Sequence, residues 1–280
     1  MAHSFFNIVG YYGGKCRLAK KYIAMFPEHK TFVDTCVGGG SIILNKEPSW
    51  NEIINDLDQG VVSLFRCLQD KELSERLHRT LELTPYARET HQYWRDRRKE
   101  HFEDPVARAV RWFVLTQMSY GSIYNSTYGG ASSKQMGLAY VNKIDRLPIA
   151  AQRLRKVQIE SMDMCDLISK YDRSDTFFFC DPPYIHSTRS SGSGYQHECD
   201  NAMHERLVST LNGIKGKAML CGYAHPIYDD GLKGFTRIDT GDYWTSAGSS
   251  RRFTAAGVNK DTQPTRTESI WINYELPTAD

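Results

Sequence analysis

The sequence predicts an α/β fold in which a mostly parallel sheet is interrupted by a helical insertion. Three observations predict it. Short apolar segments rich in β-branched and aromatic residues recur along the chain, each followed by Gly, Asp or Pro. Stretches of helical periodicity lie between most of them, and strands that alternate with helices build parallel sheets. From residue 70 to residue 155, by contrast, strand signals fade and charged helical patterns take over.

In chain order, the strand segments are residues 31–37, 51–57, 157–161, 176–180, 217–223 and 269–274. Helical patterns occupy 41–44, 59–69 and 204–211, and within the insertion 71–83 and 86–117. Residues 119–137 are polar and rich in Gly, Ser and Tyr, which cannot extend a helix, so they read as a hairpin or long loop. The expected organisation is therefore an α/β domain made of residues 1–69 and 156–280, with an insertion at 70–155 carrying a hairpin near 119–137.

At 280 residues the chain can bury a full core without disulfide or metal staples. The seven cysteines, Cys16, Cys36, Cys67, Cys165, Cys180, Cys199 and Cys221, are odd in number and scattered, without the short spacing of zinc sites. That pattern predicts a reducing, intracellular compartment. No apolar run approaches the ~20 residues that span a bilayer, and the first residues do not open a signal peptide, so a cytoplasmic protein without membrane contact is expected. The net charge of +2 neither predicts nor excludes a nucleic-acid partner, because a local basic patch decides that.

Ligands of open α/β sheets bind beyond the carboxyl ends of the strands, so the residues after each strand carry the functional reading. After the first comes Asp34-Thr35-Cys36-Val37-Gly38-Gly39-Gly40-Ser41, a glycine turn that lets backbone approach a nucleotide-like ligand, or else a plain tight turn. It lacks the Lys-Ser/Thr ending of a phosphate loop and the spaced glycines of a dinucleotide fingerprint. The second strand ends at Asn55-Asp56-Leu57-Asp58, which sets a carboxylate about twenty residues on, where it can accept from ribose hydroxyls. Asp56 takes that role; Asp58 reads rather as the cap of the helix that follows. Tyr11-Tyr12-Gly13-Gly14-Lys15 joins a glycine pair to a cation suited to a carboxylate. The fourth strand delivers Asp181-Pro182-Pro183-Tyr184. Two prolines fix the backbone and remove two amide donors, leaving acceptors beside an aromatic ring, an arrangement that suits a planar amine.

Taken together and in this order, YGGK, DTCVGGGS, NDLD, Met162-Asp163-Met164 and DPPY resemble the Dam-type (class alpha, D12) adenine-specific DNA methyltransferases, in phage- or prophage-like form. The carboxyl-terminal segment 266–274 also resembles the way members end. The resemblance implies a Rossmann-like S-adenosylmethionine-dependent fold with a sheet of about seven strands. It assigns Tyr12, Gly13, Gly14 and Lys15 to the methionine end of the cofactor and Asp34, Gly38, Gly40 and Ser41 to the cofactor loop. Asp56 falls to the ribose, and Asp163 with Met164 to the adenine ring of the cofactor. Asp181 and the Pro182 carbonyl would hold the target amine, Pro183 would fix the turn, and Tyr184 would stack on the base. Asp34-Thr35-Cys36 stands where many members have Glu-Pro-Phe, and the 119–137 stretch lacks the Phe-Asn-Val-Pro-Phe-Gly-like run of close Dam relatives, so a GATC target is not inherited.

The expected reaction is in-line attack of the adenine N6 amine on a sulfonium methyl group, after the base is flipped from duplex DNA at a cost of a few kcal/mol. No metal is expected, because loss of the sulfonium charge in a dry aromatic pocket can favour methyl transfer without one. Residues 185–195 are a candidate closing loop, or an ordinary surface loop. The double-stranded DNA partner would meet a basic stretch at 88–111, with Arg95, Arg97 and Arg98, and further cations at Arg251 and Arg252; interleaved acids leave a solvated face as the other reading. Ser122, Tyr124, Asn125, Ser126 and Lys134 are the candidate DNA contacts of the hairpin. A monomer is expected, with a restriction endonuclease of the same host as candidate partner. Amino methylation of cytosine or of an RNA base, and a catalytically inactive DNA-binding relative, are the competing functions.

Overall fold

The strand segments assemble into one sheet covered on both faces. The protein is described by a computed structural model over residues 6–130, 135–188, 197–244 and 265–277. β1 (Thr31–Asp34), β2 (Asn51–Asn55), β3 (Gln158–Glu160), β4 (Thr176–Cys180) and β5 (Lys217–Gly222) run parallel, while β7 (Thr265–Ile272) is antiparallel to both its neighbours, β5 and β6 (Thr236–Trp244). The seven-stranded order is β3-β2-β1-β4-β5-β7-β6. Strand order thus reverses between β1 and β4, which opens a crevice at their carboxyl ends.

Period-two alternation decides which core each side chain joins. Phe32, Ile54, Phe177, Phe179, Met219 and Ile270 face one core, shared with α2 (Gln59–Gln69), α5 (Pro105–Met118) and α7 (Leu147–Leu154). Val33, Ile53, Phe178, Cys180, Leu220 and Trp271 face the other, shared with α8 (Met164–Tyr171), α9 (Asn201–Leu211) and α10 (Pro226–Asp229). Every residue of β4 is buried, as a parallel strand covered on both sides must be.

A short helix, α1 (Ala19–Ile23), precedes the sheet, and α3 (Lys71–Glu82), α4 (Arg88–Asp96), α5, α6 (Met136–Ile144) and α7 separate α2 from β3. Trp112 and Phe113 of α5 and Leu77 of α3 belong to the same core as the sheet residue Phe32, so these helices are built onto one face of the sheet. Their starts are set by side chains. The Asp58, Asp70 and Asp104 carboxylates accept from the backbone N–H of Gly60, Leu73 and Val106 at 2.8, 2.9 and 3.1 Å, and Pro105 occupies the first turn of α5. Among the described residues no helix is long and apolar enough to cross a membrane.

Three local expectations change. Residues 41–44 form successive turns rather than a helix. Ile42, Ile43 and Leu44 are all buried, so there is no solvent face, and Asn45 donates to the Ser41 carbonyl at 2.8 Å, competing with helix continuation. β6 carries no apolar run because it is an edge strand paired only with β7, with a register shift between Asp239 and Asp242 beside Gly241 at φ 105°. The 119–137 stretch holds one isolated antiparallel bridge, Ser119 to Tyr128, and a 3-10 turn at Tyr120–Ser122, and α6 already begins at Met136; Ala131 to Lys134 lie outside the described residues.

Candidate active site

Strand register builds the site. Asp34 pairs with Phe179 across β1 and β4, so Asp181, two residues beyond Phe179, emerges beside Asp34 at the crevice. β7 runs the other way and pairs Ser269 with Gly222, which brings Glu268 to the same edge. Lys15, on a 3-10 turn (Lys15–Arg17), reaches in from the amino-terminal loop. Its Nζ lies 2.6 Å from Asp181 Oδ1 and 3.3 Å from Glu268 Oε1, and the three side chains are only 7%, 15% and 10% exposed. Tyr184 donates its hydroxyl to the same Glu268 oxygen. The Lys15 ammonium stands 4.8 Å from the Tyr184 ring centre, and Tyr223 meets that ring edge-on at 4.9 Å.

Two carboxylates therefore hold one ammonium, and a third, Asp34, stands beside Asp181. Burial disfavours the charge on Lys15, but Asp181 and Glu268 outweigh it and raise its pKa. Burial also pushes Asp181 up to about 6, opposed by Lys15 and aided by Glu268. Asp34, 2% exposed, is raised by burial and by Asp181, and its Oδ1 has no partner. A buried acceptor of that kind calls for a cationic or hydrogen-donating ligand group.

The crevice continues along the ends of β1, β2 and β3 as a cleft of about 990 Å³, including its open mouth, within the range of small-molecule sites. Tyr11 to Lys15, Asp34 to Gly39, Ser41, Asn55 to Asp58, Met162, Met164, Asp181, Pro183, His197, Cys199 and Met203 line it. Gly38 (φ 48°) needs a left-handed backbone, and a Cβ there would stand 2.6 Å from the Tyr11 ring. The turn presents its Gly38 N–H to Asp56 Oδ2 at 2.9 Å, while Asp58 N–H donates to Asp56 Oδ1 at 2.9 Å. Burial and the neighbouring Asp58 raise Asp56 to about 7. Asn55 donates to the carbonyls of Thr35 and Met162, each at 3.0 Å, and accepts from Met162 N–H at 2.9 Å, tying three strand ends together. Asp58 is the cap expected of it, and it also accepts from the Trp112 indole N–H at 3.0 Å.

Of the residues expected to bind cofactor, Tyr12, Gly13, Gly14, Lys15, Asp34, Gly38, Ser41, Asp56 and Met164 line one cleft. Gly40 does not: its left-handed φ of 73° packs it against Phe65, where it shapes the loop. Asp163 does not line the cleft either. Its Oδ1 caps α8, accepting from Cys165 N–H at 2.9 Å and Asp166 N–H at 3.2 Å, and pairs with Arg206 at 3.1 Å. Met162 and Met164, on either side, point in instead. Of the catalytic segment, Asp181 and Pro183 reach the cleft, Pro182 is buried, and Tyr184 packs behind Lys15.

The expected DNA contacts divide. Asn125 and Arg98 are exposed, and Ser122, Ser126, Arg95 and Arg97 half-buried. Ser122 has a left-handed φ of 57°, and Arg97 lies 3.9 Å over the Tyr93 ring. Tyr124, however, is 7% exposed and part of the core, so it is no base reader; the polar residues around it masked an anchoring aromatic. Lys134, Arg251, Arg252 and most of the 185–195 loop lie outside the described residues. Sequence reading gave no role to Glu268, Tyr11, Asn55 or the wall at His197, Cys199 and Met203, although Tyr11 and Asn55 stand inside two of the motifs and Glu268 inside the terminal segment.

A glycine loop, a raised carboxylate one strand away and an unpartnered acid at a switch point define an α/β protein built for a nucleotide-like ligand. The profile of the D12 class N6 adenine-specific DNA methyltransferases matches residues 11–236, and the chain belongs to that family. Modification methylase StsI of Streptococcus sanguinis is 22% identical over 221 residues, covering 73% of this chain and 33% of that protein, so the chain spans about a third of that relative. Two structures of the rRNA methyltransferase aviRa from Streptomyces viridochromogenes superimpose at TM-scores of 0.35 and 0.37, with 13% and 14% identity, over 91% and 97% of this chain and 83% and 89% of theirs. The fold assignment stands on the sheet order itself.

Proposed function

We propose that this protein transfers a methyl group from S-adenosylmethionine to the N6 amine of an adenine flipped out of duplex DNA. The observation that carries it is the placement of Asp181 beside Asp34 at the switch point, both lining one cleft; in this reading Asp181 serves the target amine and Asp34 the cofactor. When bound, the cofactor supplies a methyl group on a positively charged sulfur. Asp34, with its unpartnered oxygen, and the loop at 12–15 suit the ammonium and carboxylate of its methionine end. Asp56 suits the ribose, and Met162, Met164 and Met203 suit the purine face.

Asp181 and the Pro182 carbonyl accept the amine hydrogens, which localises the nitrogen lone pair and aims it at the methyl carbon. Asp181 would take the surplus amine proton and pass it to water as the amine gains the methyl group. Tyr184 stacks on the base. Residues 70–155 form the target-recognition part, with Arg95, Arg97 and Arg98 along phosphates and Ser122, Asn125 and Ser126 toward bases.

Expression in a host without DNA methylation, followed by digestion to nucleosides and chromatography, tests this. N6-methyladenine is the expected product; N4-methylcytosine alone, or no methylated base, refutes the reading.

A further inference from the structure

Glu268 is the one member of the Lys15 cluster to which neither a motif nor the proposed reaction attaches a role. It is also the most firmly anchored. Its strand is paired on both sides, to β5 and to β6, and its own carbonyl accepts the Thr240 hydroxyl at 2.8 Å. Lys15, by contrast, is carried on a glycine-flanked turn, and its ammonium lies between two carboxylates. In the proposed reaction the target amine must donate to Asp181, the carboxylate now bonded to Lys15 at 2.6 Å. Ammonium and amine therefore share one carboxylate, the ammonium on its Oδ1. A carboxylate already spent on a full positive charge is a weaker acceptor for a neutral N–H.

We propose that Glu268 is a positioning residue that takes over the Lys15 ammonium when the target amine engages Asp181, and that its bond to the Tyr184 hydroxyl sets the ring for stacking. The inference rests on the methyl-transfer reading. Charge stays balanced through the exchange, because Lys15 passes from one carboxylate to another without leaving the buried cluster. Tyr184 already donates to the same oxygen, so the ring is held for stacking before the ammonium moves. The groups facing Asp181 are Lys15 from the amino-terminal turn, Asp34 from β1, Cys180 from β4, Cys221 from β5, Tyr228 from α10, Glu268 from β7 and Tyr184 from its own segment.

The test compares the wild-type protein with Glu268→Gln and Glu268→Asp, measuring melting temperature, S-adenosylmethionine affinity by calorimetry, and kcat against pH on genomic DNA. Glu268→Gln keeps the shape and removes the charge. Its cofactor affinity should be unchanged and its kcat about ten- to a hundredfold lower, as for loss of a bond to a charged group. Its acid limb should move to lower pH: burial raises the Asp181 pKa first, and the negative charge of Glu268 raises it further. Glu268→Asp withdraws the carboxylate by one methylene, so its acid limb should stay while kcat falls. Wild-type kcat in either folded variant, or an unshifted acid limb in Glu268→Gln, overturns the proposal. A wild-type protein that leaves no N6-methyladenine defeats the methyl-transfer reading itself, and is seen before any variant is compared.

Discussion

Two buried lysines, at opposite ends of the sheet, sit among carboxylates under contrary conditions. Lys46 gives its ammonium to the Glu47 carbonyl at 2.6 Å, the Ser49 hydroxyl at 2.8 Å and Glu52 at 2.6 Å, which satisfies all three donors. Glu52 also accepts both arms of Arg153, at 2.6 and 2.8 Å, and Ser49 N–H at 3.1 Å. Burial works against the Glu52 charge, but the Arg153 and Lys46 bonds prevail and its pKa is lowered. Around Lys15 the balance is reversed: one cation pairs with both Asp181 and Glu268, Asp181 is raised to about 6, and an oxygen of the neighbouring Asp34 is unpartnered. A cluster whose carboxylate is fully engaged, here with only the Arg153 Nε donor left over, closes a structure. An under-compensated one is completed by a ligand.

Substitution should separate the two clusters cleanly. Asp181→Ala should cut methyl transfer by about 10²–10³-fold or more, the scale of losing an oriented polar group in a water-poor site, while the melting temperature holds, because Lys15 keeps Glu268. Radiolabelled methyl incorporation measures it, and activity near wild type would contradict the assigned role. Glu52→Ala should do the opposite. Stranding Lys46 and Arg153 should cost about 3–5 kcal/mol, or roughly 6–20 °C of melting temperature, with activity per folded molecule unchanged at low temperature.

Acidity should sharpen the contrast. Asp181 and Asp56 bind protons more tightly folded than unfolded, with pKa values raised from 3.8 to about 6 and about 7. The ligand-free protein therefore loses stability as pH rises from about 4 through about 7. Glu52 has the other sign: its lowered pKa contributes stability above its unfolded value, lost only as pH falls through the folded one. Calorimetric melting without ligand should give a higher midpoint at about pH 6 than at about pH 8, and S-adenosylmethionine, which brings positive charge to the carboxylates, should flatten the slope. A slope unchanged by the cofactor would count against the proposed occupant. The smallest effect belongs to Asp58, a satisfied acid at the rim of the site: Trp112→Phe removes its indole donor and should cost about 1–3 kcal/mol, read from denaturant unfolding.

What could be read in advance was what neighbours in sequence decide. β4 and the segment Asp181 to Tyr184 follow one another without a break, and α2 opens and closes where its pattern does, because Asp58 caps it and Asp70 ends it. Non-local decisions were hidden. Glu268 owes its place to the β5–β7 register, and Tyr124 is in the core although its neighbours are polar. Asp163 shows a third case: a carboxylate ahead of a helix caps it and contacts a ligand through the same residue type, and only the presence of Arg206 and the helix amides decides between them.

Because β7 lies between β5 and β6, the order in which the ribosome releases the chain matters. A nascent protein that has reached Trp244 contains every described strand but β7, and its β6 has no neighbour. Asp181, Tyr184 and Lys15 are by then all synthesised, yet the carboxylate that links the last two arrives with β7. β7, the last described strand, closes the sheet and completes the charge cluster in the same step, so a chain stopped before it has the cleft at the ends of β1 to β4 without the finished cluster beside it.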